Sequence, residues 1–131
     1  MDDGRDGLFI YDKLGDERIS RKIIDQTIMK FGRIDGIVNN AGMNDGVGLQ
    51  NDSPSAFRSS ILANLSHYYD FLHFSVEQFI KNKGSIVNIS SKIAVTGQGG
   101  ISGYAASKGA QLAWTREWAV ELAPYGIRVN A

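Results

Sequence analysis

The sequence predicts an α/β fold built on a parallel sheet, and three observations carry that expectation. Short apolar runs alternate with longer amphipathic stretches along the chain. The run Ser85-Ile86-Val87-Asn88-Ile89-Ser90 is rich in β-branched residues and reads as a central strand. The 131 residues fit one modest domain, with no internal repeat, low-complexity tract or linker to divide them.

Taken in order, Leu8-Phe9-Ile10-Tyr11 is read as a short strand. A helix follows from about Asp16 to Lys30, with Ile19, Ile23, Ile24 and Ile28 on one stripe and Gly32 as its stop. Ile34 to Asn39 is read as a buried strand that ends in the turn Asn40-Ala41-Gly42. Ser53 as N-cap and Pro54 at the first helical position start a long helical stretch to about Lys81, broken near Ala63-Asn64. After the strand Ser85–Ser90 comes a loop containing Gly97, Gly99, Gly100 and Gly103. Tyr104 to about Ala123 is the next helix, stopped by Pro124 and Gly126, and Ile127–Asn130 opens another strand. A buried parallel strand without its following helix suggests that the chain is the central part of a longer domain.

Composition narrows the functions. Lys plus Arg equals Asp plus Glu at 14 each, so no net field favours nucleic acid or a membrane surface. With 43% hydrophobic residues the chain can bury a core. It has no cysteine, which rules out disulfides, zinc–thiolate sites and a thiol nucleophile, and no metal-binding set stands out. No apolar run approaches the roughly 20 residues of a membrane span. The start, Met1-Asp2-Asp3-Gly4-Arg5-Asp6, is too polar for a signal peptide, and a cytoplasmic location is expected.

Tyr104 and Lys108 are four apart at the start of a helix, so their side chains share a face. A phenol is a poor base near its reference pKa of about 10. A lysine cation about 4 Å away contributes roughly 4 kcal/mol at an effective dielectric of 20, or about three pKa units. That brings the phenol towards neutral pH, where acid–base catalysis works best. The alternative is a core tyrosine with a lysine snorkelling to solvent. Ser91 lies just past the strand Ser85–Ser90, at the carboxyl edge where ligands bind in open α/β sheets, and its hydroxyl can bond a reacting oxygen. Alone it reads as a turn or cap residue. Asn39-Asn40-Ala41-Gly42 ends the preceding strand at the same edge, where small residues let a flat ligand approach the backbone.

Asn39-Asn40-Ala41-Gly42, Asn64, Ser91 and Tyr104-Ala105-Ala106-Ser107-Lys108 resemble, in order and spacing, the short-chain dehydrogenase/reductase family. The resemblance implies a Rossmann-like, doubly wound parallel sheet, incomplete here because the first βαβ unit with its glycine-rich turn and the C-terminal part are missing. It also implies a nicotinamide cofactor, NAD or NADP with NAD preferred, and a dimer or tetramer of the full-length protein. Tyr104 would be the acid/base, Ser91 would hold the substrate oxygen, and Lys108 would lower the Tyr104 pKa and bond the nicotinamide ribose. Asn64 resembles the helix asparagine whose disturbed backbone carries a water-mediated relay to the lysine. Asp12 matches the acidic residue beside the adenine, Asn39 the residue beside the adenosine ribose, and Ala41 and Gly42 line the cofactor. Without the pyrophosphate turn the chain is expected to have little activity alone.

The stretches Met43–Leu49, His67–Tyr69 and Thr96–Gly99 are polar and suit a polyhydroxylated small-molecule substrate. The runs Asn44–Leu49, Ser90–Lys92 with Ala94–Gly99, and Lys108–Ala113 through Arg116–Val120 resemble the family's L-fucose dehydrogenases, which oxidise an aldose at its anomeric carbon to a lactone. Asn44, Lys92 and Gln98 are then candidate substrate contacts, each with a loop-ordering hydrogen bond as the alternative. Two other readings stay open: a 3-oxoacyl-type carbonyl reductase using NADPH, and a non-catalytic binding or oligomerisation module. For the last, the aromatic helices His67–Phe79 and Leu112–Trp118 would be the contact faces.

Overall fold

The computed structural model describes residues 6–131; Met1–Arg5, which carry most of the polar start read above, lie outside the described residues. The element order is α1 (Glu17–Phe31), β1 (Gly36–Asn39), α2 (Pro54–Ile61), a π turn (Leu62–Ser66), α3 (His67–Asn82), β2 (Ser85–Asn88), the single turn α4 (Ile93–Thr96), α5 (Ser102–Leu122), a 3-10 turn (Ala123–Tyr125) and β3 (Arg128–Asn130). The sheet is three-stranded and parallel in the order β1-β2-β3, which makes Ser85–Asn88 the central strand, as expected.

Local chemistry sets the helix ends. The Asp16 carboxylate accepts from the Arg18 N–H and caps α1, and Gly32 closes it at φ 78. The Ser53 hydroxyl accepts from the Ala56 N–H at 3.1 Å with Pro54 in the first turn of α2. Gly126, at φ 73, ends the turn that follows α5.

Register decides the faces. Ile37, Ile86 and Val129 stand in one row across the three strands, and Ile86 and Val129 belong to the core with Ile24, Tyr68, Leu72, Phe79, Trp118 and Leu122. Successive parallel strands in one direction, joined by right-handed crossovers, put their helices on the same face. So α3 and α5 both pack over the Ile37–Ile86–Val129 row, and α1 packs on α3. The expected α/β, Rossmann-like parallel sheet is therefore present, and the described strands form the part of it with one strand-order direction.

Four sequence expectations need correction. Leu8–Tyr11 is not a strand: it has no ladder partner among the described residues, and Phe9 and Tyr11 are exposed. The strand begun at Ile34 in the sequence reading starts at Gly36 and is not fully buried, because β1 is an edge strand here and Val38 is 67% exposed on the uncovered face. Gly103 is not in the loop but in the first turn of α5, which begins at Ser102. The strand expected to reach Ser90 ends at Asn88. No helix among the described residues is long and apolar enough to cross a membrane.

Candidate active site

The carboxyl ends of β1 and β2 meet α5 through a chain of amides. Asn39 and Asn88 are register partners, and Asn39 Nδ2 donates to Asn88 Oδ1 at 2.9 Å. Asn88 Nδ2 donates to Thr115 Oγ1 at 3.0 Å on α5. Both asparagines are buried, and Asn39 Oδ1 is left without a partner.

Above them the π turn falls where the helical stretch was expected to break. Asn64 is buried there, with Nδ2 donating to the Ser60 carbonyl at 3.1 Å and Oδ1 accepting from the Met43 N–H at 2.6 Å. A widened turn of this kind takes main-chain groups out of the regular ladder. The Asn64 carbonyl accepts from Gln111 Nε2 at 3.2 Å.

Tyr104 and Lys108 share one face of α5, with Lys108 Nζ 5.5 Å from the Tyr104 ring centre and 5.9 Å from that of Tyr68. The lysine does not snorkel out. It is 3% exposed, and Nζ donates to the Ile89 carbonyl at 2.7 Å and to Gln111 Oε1 at 3.2 Å. Burial holds its pKa below the ordinary lysine value. The Ser90 hydroxyl donates to the Lys108 carbonyl at 2.8 Å and fixes α5 to the end of β2.

Ala41 and Gly42 are exposed beside this group. A Cβ on Gly42 would stand 3.2 Å from Asn64 Oδ1 and 3.7 Å from Lys108 Nζ, so glycine lets the loop pass close to both. The Ala41 carbonyl lies 3.1 Å from His67 Nε2, which must donate because a carbonyl only accepts. Burial, helped by the Lys108 charge and opposed by that hydrogen bond, holds the His67 pKa below its usual value. Burial pushes the neighbouring Tyr68 phenol up to about 12.

The other candidates share no hydrogen bond with this cluster among the described residues. Ser91 is half-buried ahead of α4, where its Oγ accepts from the Ile93 N–H at 3.4 Å. Asp12 pairs with Lys22 at 3.0 Å, which lowers its pKa, and lines an open cavity of about 830 Å³ with Met43, Asp45 and Ser60. Asn44 is exposed and accepts from the Gly46 N–H at 3.3 Å, closing its own turn. Lys92, just before α4, and Gln98, after it, are exposed.

Sequence reading gave no role to Gln111, Asn88 or Thr115. A polar residue three positions from Lys108 on a helix, and an asparagine inside an apolar strand, were the available signals.

Comparison with known proteins agrees with this geometry. The sequence matches the short chain dehydrogenase family over residues 2–131. A 3-oxoacyl-(acyl-carrier-protein) reductase of Thermotoga maritima is 38% identical, over 85% of this chain and 46% of its own length. An L-fucose dehydrogenase of Rattus norvegicus is 35% identical, over 94% of this chain and 46% of its own. A crystal structure of NAD+-bound xylitol dehydrogenase superposes with a TM-score of 0.82 at 35% identity, covering 91% of this chain and 46% of that one. The chain therefore spans about half the length of the relatives it matches.

Proposed function

Since this chain belongs to the short-chain dehydrogenase family, we propose that the protein is an oxidoreductase moving hydride between a nicotinamide cofactor and an alcohol or carbonyl substrate. The observation that carries the reading is Lys108, a buried ammonium held on the same helix face as Tyr104 by Ile89 and Gln111. A lone lysine is costly to bury, and a phenol beside it gives that charge a use.

In the oxidative direction Tyr104, as the phenolate that the Lys108 charge stabilises, takes the hydroxyl proton of the substrate and becomes the phenol. Ser91 offers a hydroxyl to the same substrate oxygen. A bound nicotinamide would supply the acceptor for the hydride of the carbinol carbon. Lys108 and Tyr104 would hold its nicotinamide side, Ala41 and Gly42 would line it, and Asn39 would stand beside the adenosine ribose with Asp12 towards the adenine; the close approach of Gly42 to Lys108 and the orphaned Asn39 Oδ1 suit such a partner. NAD is the preferred form, supported by the NAD+-bound relative.

The substrate class is an aldose such as L-fucose, oxidised at C1 to a lactone, with Asn44, Lys92 and Gln98 as its contacts. The rat relative and the exposed polar side chains of those three residues support it. The Thermotoga relative supports a 3-oxoacyl reductase as the second reading. Following absorbance of the reduced cofactor separates them: L-fucose with NAD gives turnover on the first, an oxoacyl thioester with NADPH on the second. The assay is made on the full-length protein, where failure of both sinks the oxidoreductase reading and leaves the binding module.

We also infer that the protein assembles with copies of itself through α3 and α5. Tyr69 is 51% exposed there and, with His73 and Trp118, lines a hollow of about 130 Å³ between the two helices. Sedimentation at a monomer mass counts against it.

A further inference from the structure

Gln111 is wholly buried, three residues beyond Lys108 on α5, and neither substrate nor cofactor is held by it in the proposed reaction. Its two amide atoms point at different elements: Oε1 accepts from Lys108 Nζ, and Nε2 donates to the main-chain carbonyl of Asn64, both at 3.2 Å. An ammonium only donates and a carbonyl only accepts, so the partners themselves dictate which end of the amide faces which. The π turn brings that carbonyl within reach of α5.

An ammonium has three N–H donors. On Lys108 one goes to Ile89 and one to Gln111, which leaves a single donor for whatever binds in front of Tyr104. The groups facing Lys108 that can titrate are Tyr104 on its own helix and Tyr68 and His67 on α3; it pairs with no carboxylate among the described residues. Neutral oxygen acceptors are therefore what keeps this buried nitrogen charged.

We propose that Gln111 is a positioning residue: it ties the Lys108 ammonium to the Asn64 carbonyl and so sets the direction of its free donor and its charge state beside Tyr104. The consequence for catalysis rests on the proton-transfer reading of Tyr104 and Lys108, but the tie itself does not.

The test is an NMR titration of the Lys108 side chain in protein labelled with carbon-13 lysine, with Lys108→Arg identifying the resonance. Gln111→Met keeps the volume and removes both hydrogen bonds. Lys108 should then lose its proton about one pH unit earlier than in the parent. In the turnover assay the kcat pH profile should move with it, with KM little changed. A folded Gln111→Met protein whose Lys108 titration overlays the parent overturns the proposal. Should that variant not fold, Gln111→Ala is read in the same way. Absence of turnover in the unsubstituted full-length protein counts against the oxidoreductase reading alone, because the titration still decides the role of Gln111.

Discussion

The Met43 N–H donates to Asn64 Oδ1 at 2.6 Å, so the loop leaving β1 hangs from the widened turn between α2 and α3. The same side chain donates to the Ser60 carbonyl at 3.1 Å. Asn64→Leu removes both bonds and leaves part-buried backbone groups unpaired, which should cost about 1–3 kcal/mol. Amide exchange at Met43 should quicken by more than the loss of global stability explains. Parent-like melting with unchanged protection at Met43 contradicts the claim.

Gly103 meets α2 with no room to spare. A Cβ there would lie 2.6 Å from Ser60 Cβ, while the Gly103 N–H donates to the Val47 carbonyl at 3.2 Å and holds the helix start in place. Gly103→Ala must push α5 from α2 and should destabilise by about 1–3 kcal/mol. Combining it with Ser60→Gly removes the clashing atoms. The double variant should recover part of the loss in denaturant unfolding; strictly additive losses would show that the contact is not the cause.

These two sites also mark what the sequence could and could not reveal. Ser53-Pro54 and Asp16 announce their helices because capping involves atoms two or three residues away. Asn64 announces a break because its side chain competes with the local backbone, and the break is there as a π turn. Gly103 misleads, because its need for a bare Cα comes from Ser60 on another helix and not from a loop conformation. The Asn39–Asn88 pair and the Gln111 bridge depend on register and on how α3 meets α5, information held between elements rather than within one. Leu8–Tyr11 shows the same limit: a β-like run becomes a strand only beside a partner.

Tyr104→Phe removes one oxygen from a half-buried position and leaves the ring to pack. If the phenol moves the proton, turnover of the full-length protein should fall by about 10²–10⁴-fold, the usual contribution of a positioned acid–base group. The melting temperature should change little, and Lys108 should remain tied to Ile89 and Gln111. Undiminished turnover in this variant would transfer the proton step to another residue.

His67 should make the fold sensitive to mild acid. Its Nε2 proton goes to the Ala41 carbonyl, so in the neutral ring Nδ1 is bare, buried and without a partner. Protonation would place an unpaired N–H and a charge there, close to the Lys108 ammonium, and burial accordingly lowers the folded pKa. The unfolded chain titrates near 6.5. As pH falls through that value the unfolded state binds a proton that the folded state refuses, so stability is lost, at most ~1.4 kcal/mol per pH unit. Asp70, whose pKa burial raises, acts with the opposite sign at lower pH, so the comparison belongs between pH 7 and 5.5. His67→Gln can still donate an amide N–H towards Ala41 but cannot titrate. Urea unfolding should show a pH slope in the parent that the variant lacks; equal slopes in both would place the acid sensitivity elsewhere.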